Sequence, residues 1–135
     1  LEDLPDVDAV IVPWGGGGLA CGIGAAIRAL SPRCRLFAAE AESGAPLAAA
    51  LAAGRPVIVD HRPSFVDGIG SRAVFPAMLE RARGLVEAAI VSPLKDIGAA
   101  MRLVAERGRV VAEGAGACSV AAALSGRAGG GRIVC

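Results

Sequence analysis

Aromatic side chains and histidine are scarce in this chain of 135 residues. It contains one tryptophan (Trp14), three phenylalanines, no tyrosine and one histidine (His61). The hydrophobic fraction is nevertheless 54%, and most of it is alanine, valine, leucine and isoleucine. Such small side chains form a core only when helices and strands pack closely together. The length fits one domain, and the hydrophobic fraction predicts a globular fold with a hydrophobic core.

An excess of charge of one sign is also missing. Fourteen basic and thirteen acidic residues leave a formal net charge of +1, and no block of basic residues occurs. Nucleic-acid backbones are bound by such blocks, so we expect no nucleic-acid partner. No apolar run reaches the length of a membrane span, and the acidic N-terminus is unlike a signal peptide. We therefore expect no membrane partner and a cytoplasmic protein.

The cysteines lack the spacing of a metal site. The four residues Cys21, Cys34, Cys118 and Cys135 form no Cys-x-x-Cys pair, and His61 is near none of them in sequence. This spacing argues against a zinc site. Reduced cysteines in apolar surroundings behave as small hydrophobic residues, which fits a reducing compartment.

Strand-like and helix-like segments alternate along the chain. Strands are predicted over residues 7–12, 35–40, 85–91 and 132–135. Helices are predicted over residues 19–30, 46–53, 74–83, 93–106 and 118–124. Gly84 is expected to end the third helix, Ser92 to cap the fourth, and residues 55–72 to form a loop over the ligand edge. This order predicts an α/β fold: an open three-layer sheet, mostly parallel, with helices on both faces.

Four consecutive glycines, Gly15, Gly16, Gly17 and Gly18, stand between the first strand and the first helix. Without Cβ atoms this backbone adopts positive φ and approaches a ligand closely. Its N–H groups then converge at the positive end of the helix, where a phosphate binds well. The alternative is a flexible turn without a ligand.

Four segments together resemble a known family. They are Val-Pro-Trp-Gly-Gly-Gly-Gly-Leu at 12–19, Phe-Ala-Ala-Glu-Ala-Glu at 37–42, Val-Asp-Gly-Ile at 66–69 and Ala-Glu-Gly-Ala-Gly-Ala at 112–117. Their order and spacing resemble the C-terminal portion of fold-type II pyridoxal-phosphate enzymes, nearest to threonine/serine dehydratases and serine racemase. The resemblance implies pyridoxal 5′-phosphate as cofactor and a small amino acid as substrate. The implied reaction converts L-threonine or L-serine to a 2-oxo acid and ammonia, with a serine racemase-like activity as an alternative.

The same resemblance assigns residues to a cofactor site. They are Gly15, Gly16, Gly17, Gly18, Leu19, Asp67, Gly68 and Glu113. The first five would hold the cofactor phosphate through their backbone amides. Asp67 and Gly68 would lie beside the cofactor ring, and Glu113 would supply a carboxylate that faces the ring from the other side.

Two further positions differ from the family's pattern. In several relatives the acid matching Glu40 helps to hold a divalent cation, but the second carboxylate of that site would fall near 44–46, where there is none. Glu42 is the only other acid nearby. Glu40 is therefore either a metal ligand or a solvated or helix-capping acid. Gly114 stands where relatives usually have proline, which implies a looser link at this point.

The family's chemistry needs a lysine that forms a Schiff base with the cofactor. The only lysine is Lys95, at the start of a predicted helix, and we do not expect it to play that role. The resemblance places the lysine in an N-terminal part outside these residues. We therefore expect residues 1–135 to be a single partial domain, the cofactor-phosphate-binding half, without the lysine-bearing part and the extreme C-terminus. Such a fragment would be inactive alone.

Two other functions fit parts of the sequence. Gly17, Gly22 and Gly24 approach the spacing of a dinucleotide-binding loop, and Glu40 could contact a ribose, as in a non-catalytic, Rossmann-like phosphate or nucleotide binder. The mean hydropathy of +0.57 also fits an interaction domain whose apolar surface is covered by another polypeptide. That partner would be a second copy, giving a homo-oligomer, or the missing N-terminal half.

Overall fold

A four-stranded parallel sheet forms the middle layer of the computed structural model, which describes residues 4–135. Its strands are β1 (Ala9–Pro13), β2 (Arg35–Ala41), β3 (Ala88–Ser92) and β4 (Ile133–Val134). The α-helices are α1 (Gly18–Leu30), α2 (Pro46–Ala53), α3 (Pro76–Leu85), α4 (Leu94–Leu103) and α5 (Gly114–Leu124), and a π-helical segment, Val104–Gly108, follows α4. The strand order is β3-β2-β1-β4, with every neighbouring pair parallel. The predicted α/β architecture is confirmed.

Two apolar layers flank this sheet. Along β2 the side chain of Phe37 packs into the layer that contains Ile97 of α4 and Cys118 of α5. The neighbouring Leu36 packs into the opposite layer, which contains Leu79 of α3 and residues of α1 and α2. Helices therefore cover both faces, because the side chains of a strand alternate between them. Among residues 4–135, none of the helices is both long and apolar enough to cross a bilayer.

Helix α2 has the predicted boundaries, whereas α3 does not. Gly54 ends α2 in the left-handed conformation, with φ 66°, and Pro46 begins it. Gly84 was expected to end α3 in the same way, but this prediction is wrong. It is absent from the glycines with positive φ, and the helix continues to Leu85. The chain leaves α3 at Val86, which is extended.

The starts of α4 and α5 also differ from the prediction. Pro93, and not Ser92, is the capping residue of α4, and the Ser92 hydroxyl has no partner among the described residues. The N–H of Leu94 instead donates to Glu42 Oε1 at 2.8 Å, so a carboxylate from the end of β2 replaces the local cap. Helix α5 begins at Gly114 rather than at residue 118, because the Glu113 side chain caps it.

Glu40 caps helix α2 from the neighbouring strand. Its side chain is buried, with 1% exposure. Oε1 accepts the N–H of Leu47 and Oε2 accepts the N–H of Ala48, each at 2.8 Å. Burial raises the pKa of this carboxyl from 4.5 to about 7, while the two backbone hydrogen bonds act in the opposite direction. The solvated alternative for Glu40 is therefore wrong, and the helix-capping arrangement is present.

Residues 55–75 form neither helix nor strand but are attached to the turn that follows β2. The N–H of Arg62 donates to the carbonyl of Ser43 at 2.8 Å. The His61 ring lies between two glycines: a methyl group on Gly44 would lie 2.5 Å from Cδ2, and one on Gly70 would lie 3.1 Å from Nε2. These contacts hold the loop at the carboxyl edge of the sheet.

Gly114 allows the same loop to approach α5. A methyl group on Gly114 would lie 2.9 Å from the Phe65 carbonyl oxygen and 3.0 Å from the Val66 α-carbon. Both neighbours are backbone atoms, which cannot rotate away. A proline ring at this position has no room either, so the glycine tightens the contact between loop and helix. The expectation of a looser link at Gly114 stays a prediction.

We expect Gly114→Ala to lower the free energy of unfolding by about 1–3 kcal/mol, the usual range for overpacking. Gly116→Ala in the same helix is the matched control, because its methyl group would meet no atom closer than 3.8 Å. It should raise stability by about 0.5–1 kcal/mol through helix propensity. Urea unfolding measures both, and equal effects of the two substitutions would contradict the close contact.

Glu40 should make stability depend on pH. Since its native pKa lies above 4.5, folding favours the protonated form, and the stability this contributes is present below the unfolded pKa and lost as pH rises through about 7. Between about pH 5 and pH 8 the wild type should lose up to about 3 kcal/mol relative to Glu40→Gln. Parallel unfolding profiles of the two proteins across this range would contradict the assignment.

Candidate functional site

A cavity of about 300 Å³ opens at the carboxyl edge of the sheet. Three segments that are distant in sequence form its wall: the end of β1 with the glycine run, the loop near residue 68, and the start of α5. The lining residues are Pro13, Gly15, Gly16, Gly17, Gly18, Leu19, Gly68, Ile69, Glu113 and Ala115.

The strand order explains why the cavity lies here. From β1 the chain proceeds through β2 to β3 on one side, and β4 then pairs with the other side of β1. The order therefore reverses between β1 and β4, and open parallel sheets bind ligands in the crevice at that point. Only Trp14 separates the glycine run from the end of β1, so the run lies at the reversal.

The glycine run needs glycine for two different reasons. Gly17 has φ 88°, and a methyl group on it would lie 2.6 Å from Trp14 Cη2. Neither the conformation nor the space accepts another residue there. At Gly16 and Gly18, by contrast, a methyl group would meet no atom within 4 Å. The absence of side chains at these two positions leaves open space beside the backbone.

The backbone amides of this segment are not satisfied internally. Gly17 is the capping residue of α1 and provides no side-chain hydrogen bond. In the described part of the chain, the N–H groups from Gly15 to Leu19 have no acceptor, as expected for the first turn of a helix. The positive end of α1 adds to their potential. No lysine or arginine side chain among residues 4–135 lines the cavity, so an anion there would be held by backbone.

Glu113 contributes the charged side chain of the cavity wall. The N–H of Ala115 donates to Oε2 at 2.7 Å, and the N–H of Gly116 donates to Oε1 at 2.9 Å. These bonds offset the positive end of α5. Two helix N-termini lie at this cavity. The Glu113 carboxylate neutralises the positive end of α5, whereas no side chain of the described residues does so for α1.

The loop wall packs against this cap. A methyl group on Gly68 would lie 3.1 Å from Glu113 Oε2 and 3.1 Å from the Ala115 Cβ. The neighbouring Asp67 is exposed and is not a wall residue. The structure therefore brings Gly68 and Glu113 to the glycine run, but it does not bring the Asp67 side chain there.

Two other candidate residues lie outside the wall. Glu40 is buried under α2, and both of its oxygens accept amide hydrogens. Within residues 4–135 no group of three or more His, Cys, Asp or Glu residues could hold a metal ion. Lys95 is exposed at the second position of α4.

Sequence reasoning missed several wall residues. Pro13, Ile69 and Ala115 line the cavity, and each is next to or inside a segment that was singled out. Adjacency to these motifs was the signal that could have found them. A lone tryptophan before a glycine run fits either a core position or a ligand contact. Trp14 is a core residue, with 1% exposure.

Comparison with known proteins agrees with this geometry. A family model described as pyridoxal-phosphate dependent enzyme matches residues 1–135. The L-threonine ammonia-lyase of Thermotoga maritima is 36% identical over 125 residues, which cover 93% of this chain and 31% of that protein. The catabolic L-threonine dehydratase of Escherichia coli K12 is 39% identical over 129 residues, which cover 94% of this chain and 39% of that protein.

A solved structure shares the fold. Maize serine racemase superposes with a TM-score of 0.90 and 31% identity over 99% of this chain and 44% of that one. The chain thus spans 31 to 39% of the length of the two curated relatives. Because the family model covers the whole sequence and the fold and four motifs agree with it, this chain belongs to the family of pyridoxal-phosphate dependent enzymes.

Proposed function

We propose that residues 1–135 form the cofactor-phosphate-binding half of a pyridoxal-phosphate dependent L-threonine/L-serine ammonia-lyase, which releases a 2-oxo acid and ammonia. The observation that carries this proposal is the row of amides from Gly15 to Leu19, which have no acceptor in the described chain and line one cavity. The names of two relatives, an L-threonine ammonia-lyase and an L-threonine dehydratase, support the reaction class.

The cavity fits the phosphate group of the cofactor. A dianion at the positive end of α1 gains hydrogen bonds from the amides of Gly15 to Leu19 and a favourable interaction with the helix dipole. The open space at Gly16 and Gly18 leaves room for its oxygens. Gly68 and Glu113 form the facing wall and are assigned to the region of the ring. Asp67, next to Gly68, is assigned to the rim.

When bound, pyridoxal phosphate supplies an electron-accepting ring that stabilises negative charge on the α-carbon of the substrate. The chain's own contribution is binding and orientation. Glu113 keeps a fixed carboxylate in the wall because two amides hold its oxygens. No lysine in residues 4–135 lines the wall, so we assign proton transfer at the α-carbon to a lysine outside the 135-residue chain.

A serine racemase-like activity is the second candidate. The similarity to maize serine racemase, at a TM-score of 0.90, favours it. The two activities would use the same phosphate site and differ in their product, a D-amino acid or a 2-oxo acid. For either one we place the protein in the cytoplasm, since Cys21, Cys34, Cys118 and Cys135 are all free.

We also propose that another polypeptide covers part of the protein surface where large apolar side chains are exposed. Val111 is 95% exposed, Ile58 is 78% exposed and Phe75 is 71% exposed. Contact with another polypeptide would remove these apolar side chains from water, which is favourable. A lysine-bearing N-terminal part or a second copy of the chain would serve as this partner.

Removing one amide donor tests the phosphate site. Leu19 is the second residue of α1 and 64% exposed, and proline is tolerated in the first helical turn. Leu19→Pro should weaken binding of pyridoxamine 5′-phosphate by about tenfold or more, the value of one hydrogen bond to a charged group. Leu19→Ala keeps the N–H and should bind like the wild type. Calorimetry measures both, and equal affinities of the two variants would contradict the assignment.

The 135-residue chain should not turn over by itself. With pyridoxal phosphate and L-threonine or L-serine we expect no 2-oxo acid, because Lys95 is exposed on α4 and outside the cavity wall. A coupled lactate dehydrogenase assay detects the product. Turnover that disappears in Lys95→Ala would show that the proposed role of an outside lysine is wrong.

A further inference from the structure

We infer that Trp14 is a positioning residue for phosphate binding: its ring, together with Met78, holds Gly17 in the left-handed conformation and so sets the directions of the loop amides. This inference rests on the proposed function. It assigns a role to a residue that touches neither the cavity nor, by the proposal, the cofactor.

The contact between Trp14 and Gly17 is direct. A methyl group on Gly17 would lie 2.6 Å from Trp14 Cη2, 2.7 Å from Cζ2 and 3.1 Å from Met78 Cε. The tryptophan ring and the thioether therefore fill the space that a side chain at position 17 would take. They pack against the backbone at the one residue of the glycine run that has positive φ.

Trp14 is itself fixed on both sides. Its backbone N–H donates to the carbonyl of Ala39 at 2.8 Å, which extends the pairing of β1 with β2. Its side chain is 1% exposed and belongs to the apolar layer that also contains Leu79 of α3. The loop thus begins directly after a residue that is anchored to the sheet and to the helix layer.

A run of four glycines needs such an anchor. Glycine populates positive and negative φ almost equally and loses more conformational entropy than other residues when it is ordered. If the loop were free, binding a phosphate would have to meet that entropic cost. The packed ring lowers this cost, because it excludes the alternative positions of Gly17 before any ligand arrives.

The first test compares Trp14→Phe with a matched core substitution. Trp14→Phe should raise the Kd of both pyridoxamine 5′-phosphate and inorganic phosphate by about tenfold. Ile97→Val, buried in the opposite layer on α4, is the control that changes stability but not the loop, and its Kd should stay within about twofold of the wild type. Calorimetry is performed where urea unfolding shows every protein to be folded. An unchanged Kd in Trp14→Phe overturns the inference.

The second test uses Met78 of α3, the other side chain at Gly17, and holds even if Trp14→Phe does not fold. Met78→Ala removes the group that would lie 3.1 Å from a methyl group on Gly17, so it should raise the Kd of inorganic phosphate by about threefold or more. Met101→Ala, half-buried against the opposite layer on α4, is the matched control and should keep the wild-type Kd. An unchanged Kd in Met78→Ala, or an equal increase in Met101→Ala, overturns the inference and leaves the proposed function intact. If the wild type binds neither probe, the proposed function fails and the inference fails with it.

Discussion

The unpaired amides at the start of α1 are the feature on which the site depends. Carboxylates satisfy the starts of three other helices: Glu40 at α2, Glu42 at α4 and the capping residue Glu113 at α5. Among residues 4–135, helices α1 and α3 have no such acid, and of these two only α1 begins at the cavity. The positive end of α1 is thus left without a partner in the described chain, and a bound anion would satisfy it without a lysine or arginine.

The parallel sheet places capped and uncapped helix N-termini along one edge. Because each helix runs back against parallel strands, the N-termini of α1, α4 and α5 lie at the same edge of the sheet. An uncapped helix in such a row creates a local positive potential, and capped neighbours confine it. The capping carboxylates at this edge of the sheet would therefore restrict where an anion binds. Only one of them, Glu113, belongs to the cavity wall.

The sequence predicted the architecture and located the glycine run of the candidate site, in both cases from local signals. Pro46 and Gly54 define α2 because each has a backbone preference that acts without tertiary contacts. The glycine run was found for the same reason. Glu113 as a helix cap and Gly84 inside α3 were missed. Glutamate is not a preferred capping residue, and a glycine ends a helix only if the following chain needs a positive φ. The burial of Glu40 depends on how α2 packs, which no spacing reveals.

The ring of His61 has a consequence for how this protein tolerates change. It occupies the space between Gly44 and Gly70, which belong to the turn after β2 and to the long loop. A side chain at Gly44 requires the exposed His61 ring to move away, whereas Gly70, with φ 94°, disfavours other residues through its backbone conformation as well. A smaller residue at 61 makes room at Gly44 but leaves the constraint on Gly70, so the loop tolerates substitution on only one side of this ring.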